Sequence, residues 1–407
     1  MNALITVSRA ESLIWEHAGD FGTIQVPLNK AVGRTLRQVV RAERDQPPCD
    51  RAAVNGFAVC WADLPESGVL RVVGLQRAGK APLTLPDGDV CLEIMTGAIL
   101  PDGADTVIPG ERVKRQGDSI FIPVENVPTE GAFVDRQGDV CQAQAPLLEP
   151  GMVLRWPVLA VLAANGVSDV TVSADPSIGV FAVGDSLVPV DSEDDDEPLE
   201  PWQLRRSSEY AITGALHGFG FKRGQRRHVA NNVKDVREAL AEELATHDVL
   251  ILGEGGPFGT PSAVANALEE LGVTVIFDGV AQEPGSAFWF GVGPEGQCIF
   301  GLPADPVGVT VCMRRYVLPF LKRAQKRCIN APPRVALAEH VPELNGLTRF
   351  VAVGVQYDAT GRAMAYPKDI VVSGEFGSLL DVDGFVEIEG IIDGVEPRIE
   401  AVPFFPI

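Results

Sequence analysis

The sequence predicts an α/β multidomain chain: a doubly wound parallel sheet, a β-rich inserted domain, a helical N-terminal segment and a C-terminal β-barrel-like domain. Three observations predict it. Buried strand-like runs alternate with amphipathic helical ones from Ser177 to about Lys326, the pattern of a parallel sheet covered by helices on both faces. Short β-branched runs broken by Gly, Pro and Asp fill residues 46–145, as in Val69-Leu70-Arg71-Val72-Val73-Gly74. Beyond Pro332-Pro333 the chain is strand-rich and turn-rich again. The length of 407 residues suits two to four domains at roughly 150 residues each. The expected units are 1–45 with 146–176 (helical), 46–145 (the β-rich insertion), 177–328 (the α/β domain) and 334–407 (the C-terminal β domain).

In chain order, Ser8 to Trp15 and Pro157 to Leu162 have helical spacing. Ile178 to Val183 reads as a buried strand, Val233 to Leu244 as an amphipathic helix and Val249 to Leu252 as a second strand. A helix from Pro261 to Leu271 follows a Gly-rich turn, then strands at Val273–Phe277 and Cys298–Leu302, then a long helix from Asp305 to about Arg323. The acidic run Asp191 to Glu197 reads as a solvated loop, because its carboxylates are adjacent rather than convergent.

Composition excludes several classes. Hydrophobic residues make up 46% and charged residues 22%, which is not the signature of a disordered chain. With 34 Lys+Arg against 55 Asp+Glu the net charge is −21, the opposite of a nucleic-acid-binding footprint and unsuited to anionic lipid. Seven cysteines without C-x-x-C or zinc spacing read as free thiols in a reducing compartment. Five scattered histidines suggest no metal cluster. The N-terminus carries charges inside its apolar stretch, unlike a signal peptide. The longest apolar run, Trp156 to Ser168, is too short to span a bilayer. A soluble cytoplasmic protein is expected.

Four stretches hold residues suited to chemistry. Pro47 to Val59 is a Pro-rich lead into a strand, with Asn55 and Gly56 at a turn. In Ile94 to Ala98, followed by Pro101 to Glu111, Thr96 and Gly97 either present a hydroxyl and N–H groups to an oxyanion or close an ordinary hairpin. Leu252 to Thr260 places Gly255, Gly256 and Gly259 between a strand and a helix, where backbone can approach a phosphate. Gly301 to Val307, with Pro303 and Asp305, is a second strand-to-helix turn at the same sheet edge.

Taken in this order, the pieces resemble the MoeA / gephyrin E-domain family, the molybdenum insertases of molybdenum cofactor biosynthesis. The family pattern P-P-x-D-x-S-A-M-D-G-Y-A is matched by Pro47 to Ala58, and I-M-T-G-A-x-x-P-x-G-A-D-x-V-x-x-x-E by Ile94 to Glu111. T-G-D-E-L corresponds to Val183 to Leu187, and G-L-P-G-N-P-V-S to Gly301 to Gly308. The resemblance implies an elongated homodimer whose α/β domain is MogA-like. It implies Mg²⁺-dependent insertion of molybdate into adenylated molybdopterin with release of AMP, alongside other proteins of the cofactor pathway. It also implies catalytic positions at Thr96, Asp185, Asn55, Ser186 and Thr260, with Asp185 as the metal-facing carboxylate. Substrate-binding positions fall at Gly255, Gly256, Gly259, Pro303, Asp305, Glu283, Ser286, Arg349 and Ser378.

Several of these positions depart from the family letters. Asn55 stands for Asp, Ser186 for Glu, Thr260 for Asp, Glu283 and Ser286 for two lysines, and Asp305 for Asn. Arg206-Ser207-Ser208 replaces D-S-N, and Asn231-Asn232 replaces Asp-Asp. Replacing Lys by Glu beside a dianion turns attraction into repulsion, and losing carboxylates weakens a Mg²⁺ site. Two readings follow. One is a divergent but working insertase with substitute ligands such as Asp305, Glu254 and Asp139. The other is an inert paralogue that holds molybdopterin or a pathway partner.

Overall fold

A computed structural model describes residues 4–190, 199–221, 224–253, 263–339, 341, 346–368, 379–389 and 401–407. The acidic run 191–197 and most of the Gly-rich turn at 254–260 lie outside the described residues.

Helix α1 (Val7–Glu16) starts at Thr6, whose hydroxyl accepts the Arg9 N–H at 3.2 Å. It buries Val7, Ala10 and Ile14 at three- and four-residue spacing. The expectation of a helical N-terminal segment holds for α1 and for α2 (Trp156–Ala164), but not between them. Thr23–Pro27 is a strand, paired antiparallel with Asp169–Ser173. Its partner comes from the far side of the insertion, so no local pattern announces the pair. The insertion itself holds a six-stranded sheet in the order Thr106–Pro109, Gly56–Val59, Val90–Ile94, Val69–Gln76, Ser119–Phe121, Lys114–Gln116.

The α/β sheet runs Gln225–Val229, Ile178–Val183, Val249–Gly253, Cys298–Gly301, Trp289–Val292, Thr274–Asp278. Its first four strands are parallel. The fifth, Trp289–Val292, is the one strand that runs the other way, antiparallel to both of its neighbours, so the sixth runs with the first four and the sheet is parallel but for that strand. Thr274–Asp278 is the strand expected there, but it joins the sheet through Trp289–Val292, by a short connection rather than a helical crossover. Both faces of the sheet are buried, as parallel strands require. Val180, Val249, Ile251 and Phe300 face one apolar cluster; Phe181, Leu250, Leu252 and Ile299 alternate into another. The first face is covered by α1, by α3 (Ser208–Gly218) and by the long C-terminal helix of this domain; the second is covered by α4 (Val233–Thr246) and α5 (Ala263–Glu270). That long helix consists of α6 (Pro306–Cys312), a π turn at Met313–Val317 and α7 (Leu318–Ala324). Pro319 explains the π turn, since it has no N–H for the carbonyl of Arg315 one turn back.

At the C-terminus, Thr348–Tyr357, Ala363–Pro367, Arg334–Leu337, Val402–Pro406 and Gly384–Ile388 pair in sequence. The last pairs back to the first, closing a five-stranded barrel. Val335, Val353, Ala365 and Val386 fill its interior, while Phe350, Ala352 and Phe385 point outward into the first α/β cluster.

Candidate functional site

Strand order reverses beside Ile178–Val183: the chain moves to Gln225–Val229 on one side, then to Val249–Gly253 on the other. Ligands of open α/β sheets bind at the carboxyl ends of strands at such a switch point. Here those ends are the turn after Val183 and the end of the strand at Gly253. Asp185, in the first turn, is exposed, and one of its carboxylate oxygens accepts the backbone N–H of Asn231 at 2.8 Å. This bond ties the turn to the start of α4, where the Asn232 side chain caps the helix. Ser186 continues into a short ladder, its carbonyl accepting the Leu204 N–H at 2.8 Å.

A small cavity at this edge is lined by Ala182, Leu187, Arg206, Ser208, Glu209 and Gly253, among others. Its charged pair was not anticipated. Arg206 is 18% exposed and lies 3.8 Å from the buried carboxylate of Glu209, which Arg226 approaches at 3.9 Å. Among the described residues the buried Arg206 Nε has no hydrogen-bond partner. The sequence offered one signal for it: a cation standing where the family has an acid.

The second strand-to-helix turn has a structural logic of its own. Asp305 caps α6, its Oδ1 accepting the Gly308 N–H at 2.6 Å. Asn and Asp cap equally well, so the exchange keeps the turn and adds a negative charge. That cap occupies one oxygen of the residue expected as a substitute metal ligand. Pro303 is buried. Gly301 is a packing position: a Cβ there would lie 1.8 Å from Nε1 of Trp289 on the neighbouring strand.

Glu283 and Arg349 sit at directly paired positions of a short parallel ladder that joins the α/β domain to the barrel. Glu283 and Ser286 are exposed and flank buried Gly285, whose φ of +89° only glycine adopts easily. Behind them, the Tyr316 hydroxyl donates to the buried amide of Gln282.

Asn55 and Thr96 meet in the insertion. The Asn55 Oδ1 accepts the Thr96 N–H at 2.8 Å, and the Asn55 carbonyl accepts the Gly110 N–H at 3.2 Å. Gly56 permits the close approach, because a Cβ there would lie 2.0 Å from the Ile108 carbonyl oxygen. Asn at position 55 therefore keeps the acceptor an Asp would supply and loses only the charge. Thr96 is exposed, Gly97 turns with φ +75°, and Glu111 lies exposed on the following turn.

The structure thus groups Asp185 with Asn231, Arg206 with Glu209, Asn55 with Thr96, and Glu283 with Arg349. Glu254, Gly255, Gly256, Gly259, Thr260 and Ser378 lie outside the described residues. Among the described residues no three His, Cys, Asp or Glu side chains are placed to hold a metal ion.

Comparison with known proteins agrees with this architecture. Residues 5–166 match the family described as MoeA N-terminal region (domain I and II), and residues 179–323 match the probable molybdopterin binding domain. The chain is 30% identical over 387 residues to the molybdopterin molybdenumtransferase of Synechocystis sp., covering 95% of each. Against the Bacillus subtilis molybdopterin molybdenumtransferase it is 27% identical over 383 residues, covering 91% of this chain and 87% of that one. The crystal structure of the molybdopterin biosynthesis MoeA protein from Pyrococcus horikosii superposes with a TM-score of 0.81 at 26% identity, covering 99% of both chains. The switch-point edge, the β insertion and the closing barrel all recur within one similarity that spans the chain, which therefore belongs to the MoeA family of molybdopterin molybdenumtransferases.

Proposed function

We propose that this protein works in molybdenum cofactor biosynthesis, inserting molybdate into adenylated molybdopterin with release of AMP. The similarity over 95% of the chain to a protein named for this activity carries the reading and favours it over the inert paralogue. The pterin substrate lies at the switch-point edge, beside the turn at Asp185 and the strand end at Gly253. There Arg206 supplies positive charge to the phosphate or molybdate oxyanion, partly replacing the lysines absent at 283 and 286. Thr96, held by Asn55, presents its hydroxyl and adjacent N–H groups from the insertion. Proteins that supply the adenylated pterin and accept the product are its expected partners.

Magnesium is the implied cofactor. The described carboxylates do not form a cage for it: one oxygen of Asp185 already accepts the Asn231 N–H and one of Asp305 accepts the Gly308 N–H.

The test is AMP release by the purified chain given adenylated molybdopterin, molybdate and Mg²⁺. Release above the protein-free rate is expected. Glu283→Lys and Asn55→Asp, which restore family charges, are each expected to raise kcat/KM about tenfold, the equivalent of about 1.4 kcal/mol of transition-state binding. Pterin binding without AMP from the native chain or either variant would establish the inert reading instead.

A homodimer in the cytoplasm completes the proposal. All seven cysteines are free thiols, as expected in a reducing compartment, and among the described residues no helix is long and apolar enough to cross a membrane. Helix α2 is apolar around its whole circumference, yet Trp156 is 78% exposed and Val161 43%. Such a surface is expected to be covered by a partner. Sedimentation should show a dimer for the native chain, and Trp156→Asp should weaken association at least about tenfold. An unchanged dimer would remove α2 from the interface.

A further inference from the structure

A cavity of about 780 Å³ opens between α1, the π turn and α7, the linker after α7, and the barrel. It shares no lining residue with the switch-point edge. Five cationic side chains line it: Arg314, Arg315, Lys322, Arg323 and Arg327. The two lining carboxylates, Glu11 and Glu387, both bind Arg315, at 2.5 and 2.9 Å. Among the described residues the other four cations have no carboxylate partner.

Those four are nevertheless held in place. Arg314 donates from Nε to the Pro406 carbonyl at 2.6 Å and lies over the Phe219 ring at 5.1 Å. Lys322 lies over the same ring at 4.6 Å, and Arg323 over Trp15 at 4.7 Å. Arg327 donates from Nη2 to the Gly33 carbonyl at 3.0 Å, while its buried Nε has no hydrogen-bond partner. Aromatic faces and carbonyls position these groups without neutralising them. The cost shows at Lys322, whose amine is pushed down to about 8 by burial and then by Arg314 and Arg327. In a chain of net charge −21, a converging set of unneutralised cations is a local arrangement. It is best relieved by an anion of at least two charges.

We propose that this cavity is a second anion site, which takes a small organic phosphate. The phosphoryl oxygens lie on Lys322, Arg323 and Arg327, and the organic body lies against Trp15, Pro332 and Pro403. Guanidinium groups match tetrahedral oxyanions two bonds at a time, and the volume is that of a small-molecule site. Among the described residues, Arg315 is the only lining cation with carboxylate partners, so the charge of the others is offered to a ligand.

The test is calorimetric titration of the full chain with inorganic pyrophosphate at low salt. Expected is a Kd below about 1 mM, weakened by added salt and at least about tenfold in Lys322→Gln/Arg323→Gln. Lys114→Gln, an exposed cation of the insertion, should leave it unchanged. An undiminished affinity in the double variant, or no binding, overturns the proposal. A second measurement needs no variant. Lys322 faces Arg314 and Arg327, with Glu11 and Glu387 engaged by Arg315, so a bound dianion favours its charged form. Its titration in the native chain should move up from about 8 on saturation with pyrophosphate, and binding should weaken as pH rises through that value. A midpoint that stays where it is overturns the proposal as well.

Discussion

Gly301→Ala should destabilise the protein by about 3 kcal/mol or more, the upper range for forced overpacking of a core. The added Cβ would lie 1.8 Å from Nε1 and 2.0 Å from Cε2 of Trp289. That indole is fully buried at the directly paired position of the adjacent strand, so it has no exposed end to swing aside. Denaturant unfolding followed by tryptophan fluorescence reads the loss. Trp289→Phe in the same chain should return part of it, because a smaller ring leaves room for the methyl group. A native-like midpoint for Gly301→Ala alone would show that the glycine serves the ligand turn and not the packing.

Arg315→Leu should cost about 3–5 kcal/mol, the range for removing one partner from a buried ion pair. Arg315 links three distant parts of the chain: Glu11 on α1, the π turn, and Glu387 on a barrel strand. Without it, two mostly buried carboxylates face one another. Burial already raises the Glu387 carboxyl, with Arg315 pulling the other way, so the variant raises it further. The sign follows from linkage. A carboxyl whose folded pKa lies above its unfolded value favours folding below the unfolded pKa and loses that contribution as pH rises through the folded one. The stability gap between variant and native chain should therefore widen toward neutral pH and narrow toward the ordinary carboxyl value of 4.5. Adding Glu11→Gln and Glu387→Gln should recover much of the loss, since an uncharged trio has no unpaired charge to bury. A gap independent of pH would assign the loss to packing of the Arg315 stem.

Much of the fold was legible because the deciding forces are local in sequence. Buried strands at Ile178–Val183 and Val249–Gly253, and the amphipathic spacing of Val233–Thr246, are patterns of apolar residues that need no partner to be seen. The one antiparallel strand was not legible, since Trp289–Val292 is a short run whose direction depends on the strands it joins. The site divides in the same way. Letters at Asn55, Thr96, Asp185 and Asp305 could be matched to a family pattern, and the departures could be counted. Their meaning needed coordinates. Asn55 keeps its hydrogen bond to Thr96, Asp305 keeps its helix cap, and Arg206 lies against the buried carboxylate of Glu209.

By itself, then, the sequence determined the family, the order of elements and the type of chemistry, because motif letters and apolar periodicity are properties of neighbouring residues. Only the tertiary structure decided which substitutions spare their local role, why Gly301 must be glycine, and where the four unneutralised cations converge. Each of these depends on atoms brought together from distant parts of the chain, as when Trp15 meets Arg323 and Glu11 meets Arg315. Contact, burial and charge compensation are set by that proximity, and residue spacing along the chain does not encode it.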